Sequence, residues 1–171
     1  MVEEIRVLIA YQSQTGNTKK VAEAIYNAVL EPKEIKPLKN VESLDGYGLV
    51  FLGFPVQGSG PNPKAKAYLE NNTSGKRVAL FITHAAPEEA PEMSESIQKF
   101  RDAAVGAEVV DVFHCQGQLS GIVKTMMRFM PDPQIRAWAK MDNSKGQPDA
   151  GRLEKASVFA SKVLKLVQVA A

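Results

Sequence analysis

The chain has 171 residues, 44% hydrophobic and 23% charged, with a net charge of only +2 and a sequence pI near 8.6, which fits one ordinary domain with a real core rather than two domains or a disordered segment. So small a net charge argues against nucleic acid as the partner, although the charge is uneven: residues 1–118 carry 12 basic and 15 acidic groups (net −3), and residues 119–171 carry 9 and 4 (net +5). A lone Cys115 excludes an internal disulfide, two histidines make a dedicated zinc site improbable, and no apolar run reaches the roughly 20 residues of a membrane span.

In chain order, Met1-Val2-Glu3-Glu4 places acid where a secretory signal carries base, so a cytoplasmic location is expected. Arg6 to Tyr11 is a short apolar run that predicts a strand buried on both faces. After a polar turn, Val21, Ala22, Ile25, Ala28 and Val29 recur at helical spacing between Thr18 and Leu30. Glu34 to Leu38 predicts a weak second strand, Gly48 to Phe54 a strong third, Lys64 to Asn71 a short helix and Arg77 to Thr83 a fourth strand. Met93 to Val105 is helical, and Glu108 to Cys115 is a fifth strand. Five alternations of strand and helix predict an α/β doubly wound, five-stranded parallel sheet of order 2-1-3-4-5, covered by helices on both faces and forming a single domain over residues 1–171. Ligands of such sheets sit outside the carboxyl ends of the strands, where loops 12–18, 55–62 and 83–91 should converge.

A helical insertion, about 116–148, separates the fifth strand from an amphipathic helix at 151–169 and is longer than such a connection needs. Within it Ile122 to Met130 and Pro133 to Met141 predict two helices parted by Pro131-Asp132-Pro133. Its apolar positions, among them Met126, Met127, Phe129 and Met130, are interrupted by Lys124 and Arg128 and followed by Arg136, Trp138 and Lys140. An apolar helical stripe is usually packed inside its own domain, so the leading expectation is ordinary core at the sheet edge, with docking of an acidic partner as the alternative.

The chemistry concentrates in Ser13-Gln14-Thr15-Gly16-Asn17-Thr18. Three hydroxyls, an amide and a glycine stand at the start of a helix, where backbone N–H groups and the helix dipole can hold a phosphate without Lys or Arg. A Walker loop needs Lys-Ser/Thr after its last Gly and a dinucleotide fingerprint needs G-x-G-x-x-G; neither is present. The bland alternative is a polar turn that only caps a helix. A receiver domain of the same winding would need clustered acids after the first strand, where Tyr11-Gln12-Ser13 offers none.

The run Ile9 to Thr18, followed by Ala22 and Ile25, resembles the phosphate-loop signature of flavodoxins, with Ala10 as the one departure. That resemblance implies a flavodoxin-like fold with a non-covalent flavin mononucleotide (FMN), whose phosphate lies at Ser13 to Thr18. It also implies that Pro55, Val56, Gln57, Gly58, Ser59 and Gly60 pack on one face of the isoalloxazine ring. The family often places aromatic residues on the two walls; Val56, Gln57 and Ala85-Ala86 stand here instead, which weakens stacking. By the same resemblance Gly58, with Gly60 second, is the candidate whose peptide carbonyl turns to accept from N5 of the reduced flavin. Thr83, His84, Ala85 and Ala86 should line the pyrimidine edge with backbone N–H groups. His84 reads as a neutral residue bonded to nearby backbone rather than a positive charge near N1, His114 as structural, and Cys115 as a small buried residue.

The resemblance implies electron transfer between redox partner proteins, partners that the basic pI suggests are acidic, with no catalytic residue of the chain's own. The alternative is an FMN-dependent oxidoreductase acting on a quinone or similar small acceptor, since a basic, apolar insertion resembles in kind the menaquinone-dependent protoporphyrinogen oxidases; contact with a membrane surface stays open on that reading. A redox-silent scaffold is the third reading, and the intact phosphate turn argues against it.

Overall fold

The computed structural model describes residues 4–170, so the acidic opening Met1-Val2-Glu3 lies outside the described residues. Five strands, β1 Val7–Tyr11, β2 Lys33–Pro37, β3 Leu49–Pro55, β4 Arg77–His84 and β5 Glu108–Gln116, pair in parallel in the order β2-β1-β3-β4-β5. The winding expected from the alternation is the winding observed. Six α-helices follow: α1 Asn17–Ala28, α2 Pro63–Asn72, α3 Glu92–Ala103, α4 Gly121–Arg128, α5 Pro133–Met141 and α6 Ala150–Val169.

Side chains alternate across each strand, and this splits the core into two layers. Val7, Ile9, Leu49, Phe51, Ala79 and Phe81 face α1 and α6, meeting Val21, Ile25, Phe159 and Val163. Leu8, Val50, Leu52, Phe54, Leu80 and Ile82 face α2 and α3, meeting Leu69 and Phe100. Burial of the central strands on both faces is why they read as unbroken apolar runs. Gly53 is part of this packing, because a Cβ there would lie 2.0 Å from the Phe81 ring.

Caps place the helix starts. Asn62 Oδ1 accepts from Ala65 N–H at 2.8 Å, with Pro63 opening α2, and Asp149 Oδ1 accepts from Arg152 N–H at 2.9 Å to open α6. Both satisfy donors that a helix leaves orphaned.

The expectation that the insertion is ordinary core is overturned. No residue of α4 is buried, and Ile122, Met126, Phe129, Met130, Trp138 and Met141 are all exposed. The physical reason is geometric: α6 already covers one face of β5, and α4 and α5 pack chiefly on each other. Among the described residues no helix is long and apolar enough to cross a membrane.

Candidate functional site

The turn between β1 and α1 is built around Gly16, whose φ of +94° is a left-handed conformation that a side chain disfavours. Gly16 N–H donates to Ser13 Oγ at 3.1 Å, closing the turn on itself. Unlike α2 and α6, α1 has no side-chain cap. The first-turn N–H groups of Asn17, Thr18 and Lys19 therefore point out of the helix with no side chain to accept from them, beside the exposed Gln14 and Thr15. An uncapped helix start preceded by a left-handed glycine is the local form of an anion site.

Two residues of this turn reach inward. Thr18 is buried, and its hydroxyl pairs with that of Thr83 at 2.8 Å, joining the turn to the end of β4. Asn17 Nδ2 donates to Gln118 O at 2.9 Å, joining it to the segment after β5. That approach requires Gly117, because a Cβ there would meet the Asn17 side chain at 2.8–2.9 Å.

The loop after β3 lies alongside. Val56 N–H donates to Thr83 O at 2.8 Å, and Gln57 and Gly60 bridge across a tight turn whose Gly58 has φ +72° and is exposed. Ser59 Oγ accepts from Lys99 Nζ at 3.1 Å, while Pro55, Val56 and Gln57 are half-buried. Asn62 is the joint: besides capping α2, its Nδ2 donates to Gln12 Oε1 and to Gln57 Oε1, both at 2.9 Å.

After β4 the backbone carbonyls all turn inward. His84 O accepts from Gly117 N–H, Ala85 O from the Gln116 side-chain amide, and Ala86 O from His84 Nδ1, each at 2.8 Å. The N–H groups of Ala85 and Ala86 find no acceptor among the described residues, so this loop presents donors. His84 is buried, with its Nε2 2.9 Å from His114 Nδ1. Donation to a carbonyl fixes the proton of His84 on Nδ1, so Nε2 is bare and accepts from His114 Nδ1–H. Burial lowers the His84 pKa to about 4 and lowers that of His114 as well. The imidazole is neutral and bonded to nearby backbone, as expected from the sequence. Cys115 is buried, its thiol pushed up to about 12 by desolvation, and so is inert.

Several contributors were not foreseen. A cavity of about 660 Å³ adjoins the phosphate-type turn, lined by Gln12, Ser13, Gln14 and Gly16 and also by Lys19, Lys39 and Lys64. The turn itself contains no base, but three elements bring lysines to its flank. Glu88 accepts from Gln116 N–H at 3.1 Å and from Arg152 Nε at 2.7 Å, pinning α6 to the loop after β4. Only the Asn62-Pro63 cap pattern was readable locally; the other contacts join residues far apart in sequence. A second groove of similar volume, about 650 Å³, runs along α6 at the end of α1, lined by Ser157, Val158 and Leu166, and includes no residue of these loops.

The site thus gathers an uncapped helix start, a glycine turn and a donor-bearing loop at the carboxyl ends of β1, β3 and β4. A family model described as a flavodoxin domain matches residues 8–161. The flavodoxin-like domain-containing protein BilS of Clostridioides difficile (strain CD3) is 32% identical over 171 residues, covering 94% of this chain and 97% of that protein. Oxidised flavodoxin 2 of Bacillus cereus superposes with a TM-score of 0.64 at 22% identity, over 94% of this chain and 98% of that one. A flavoprotein of Lactobacillus acidophilus NCFM in complex with FMN gives a TM-score of 0.51 at 23% identity, over 64% of this chain and 93% of that one.

Proposed function

Because the chain belongs to the flavodoxin-domain family, we propose that it holds FMN non-covalently and carries electrons between redox partners. The observation that carries this reading is the start of α1: three first-turn N–H groups without a side-chain cap, behind a left-handed Gly16. These suit a phosphate dianion, which accepts several hydrogen bonds and favours the positive end of a helix dipole. Ser13 and Thr15 add hydroxyls, the buried Thr18–Thr83 pair anchors the turn, and Lys39 and Lys64 bring positive charge to the adjoining cavity.

Bound FMN would supply one- or two-electron transfer, which no side chain here can. The chain's own part is to bind, orient and shield. The N–H groups of Ala85 and Ala86 suit the carbonyl-bearing pyrimidine edge, held in place by three inward carbonyl bonds. Gly58, exposed and already at positive φ, can reorient its peptide without a side-chain penalty. Without aromatic side chains at Val56 and Gln57 the ring gains burial but not stacking, which is worth about 0.5–1.5 kcal/mol per pair. His84, neutral and turned into the protein, contributes position rather than charge.

The test is FMN titration followed by stepwise anaerobic reduction of the loaded protein, read in the visible spectrum. Two resolved one-electron steps are the expected result. A single two-electron step would favour reduction of a quinone or similar small acceptor instead, and failure to retain FMN would overturn the reading.

A further inference from the structure

The hairpin formed by α4 and α5 carries exposed apolar side chains and springs from the segment after β5 that is bonded to the proposed cofactor loops. Ile122 and Met126 follow i, i+4 spacing on α4, Phe129 caps its end three residues on, and Phe129 is 83% exposed. Four of the chain's six methionines, Met126, Met127, Met130 and Met141, lie in this hairpin. Such a stripe is normally buried, and a contiguous exposed one marks an interaction site.

The hairpin is built rather than frayed. Lys124 Nζ bonds Asp142 at 2.9 Å, and Arg136 Nη1 donates to Met130 O and Pro131 O at 2.7 Å each. Its base is stapled by Leu119 N–H to Ser144 Oγ at 2.8 Å and by Gly146 N–H to Gln118 Oε1 at 2.9 Å. The same short segment supplies Gln116, which holds Ala85 O, and Gln118, whose carbonyl receives Asn17. The base of the hairpin is therefore tied to the loops assigned to the flavin.

Charge selects the occupant. Over residues 121–145 the only acids are Asp132, which caps α5, and Asp142, which is taken by Lys124. Arg128, Arg136, Lys140 and Lys145 have no carboxylate partner among the described residues. A second copy meeting the first through this face would oppose like charges, since a two-fold contact pairs a surface with itself. Methionine, unbranched and adaptable, suits a protein groove.

We propose that the α4–α5 hairpin is the docking surface for an acidic redox protein, whose apolar groove takes the Ile122, Met126 and Phe129 stripe and whose carboxylates meet Arg128 and Lys140. The inference rests on the electron-carrier reading. Contact here places the partner on the segment that leaves the carboxyl end of β5 and is bonded to the cofactor loops, and electrostatic attraction speeds encounter.

Trp138, the chain's single tryptophan, lies on the hairpin and reports on it directly. The test titrates the full FMN-loaded chain with an acidic plant-type [2Fe–2S] ferredoxin at low and high salt, reading Trp138 emission and the rate at which reduced ferredoxin passes its electron to the flavin. Saturable binding that weakens with salt is expected, falling about tenfold in Phe129→Asp and losing its salt dependence in Arg128→Glu with Lys140→Glu. FMN absorbance and the thermal midpoint should be unchanged in both variants. No binding by the unaltered chain, or undiminished binding by Phe129→Asp, overturns the proposal. So does binding to phosphatidylcholine–phosphatidylglycerol vesicles in place of ferredoxin, which would make the hairpin a membrane contact, or a sedimenting dimer that Phe129→Asp dissolves, which would make it a self-contact. If the chain takes no FMN, the cofactor reading fails alone, because Trp138 emission reports ferredoxin binding without the flavin.

Discussion

His84 shows how position sets the chemistry of a residue. Its folded pKa of about 4 lies below the ordinary 6.5 because burial penalises the imidazolium. Between those values the unfolded chain binds more protons than the folded one, so stability rises with pH across the window and is lost as pH falls through it. A shift of that size corresponds to roughly 3 kcal/mol, and His84→Gln is expected to flatten the slope of urea-unfolding stability between pH 4 and 6.5. At Gly16 the left-handed backbone is the constraint, for a Cβ would meet nothing within 4 Å. Gly16→Ala should cost about 1–2 kcal/mol in denaturant unfolding and weaken FMN binding in titration. Lys39 and Lys64 line the flanking cavity, so Lys39→Ala with Lys64→Ala should weaken FMN binding several-fold at low salt and scarcely at high salt, since exposed charges are screened over about 10 Å at 0.1 M.

Among elements, the contacts that assemble the site are made between the ends of strands. Asn62 opens α2 and at once ties the turn after β1 to the loop after β3, so losing it would loosen two loops together. Gly117 lets the end of β5 approach the start of α1. Gly117→Ala should therefore push the Asn17 turn away, costing about 1–3 kcal/mol as overpacking does and lowering FMN affinity; unaltered affinity would mean that Asn17 and Gln118 play no part in the site. The helical face of the core rests on α6, where Phe159 meets Phe51 edge-on at 6.0 Å and Phe113 at 5.5 Å.

Taken whole, the molecule separates a sheet that supplies stability from an appendage that buries little. Because α4 buries nothing and α5 only Ala139, exchanging residues 121–141 for a short Gly/Ser linker should leave the calorimetric melting temperature within about 4 °C, whereas an insertion belonging to the core would not survive the exchange. The alternation of strands and helices, the winding order and the phosphate-type turn were legible from residue order, because periodicity, turn residues and the start of a helix are local properties set by neighbours in the chain. The neutral state of His84 was legible in kind but not in cause, since His114 lies 30 positions away and meets it only because β4 and β5 pair. The lysine-flanked cavity, the Glu88–Arg152 tie and the Asn17–Gln118 bond were not legible, because each joins residues that only the parallel crossovers bring together. The insertion misled for the same reason: its apolar spacing reads alike whether its face is buried or bare, and burial is decided by which surface the rest of the fold has already covered. The sequence by itself determined the fold and the place of the glycine turn before α1; the tertiary structure decided which side chains converge there and which apolar face was left bare.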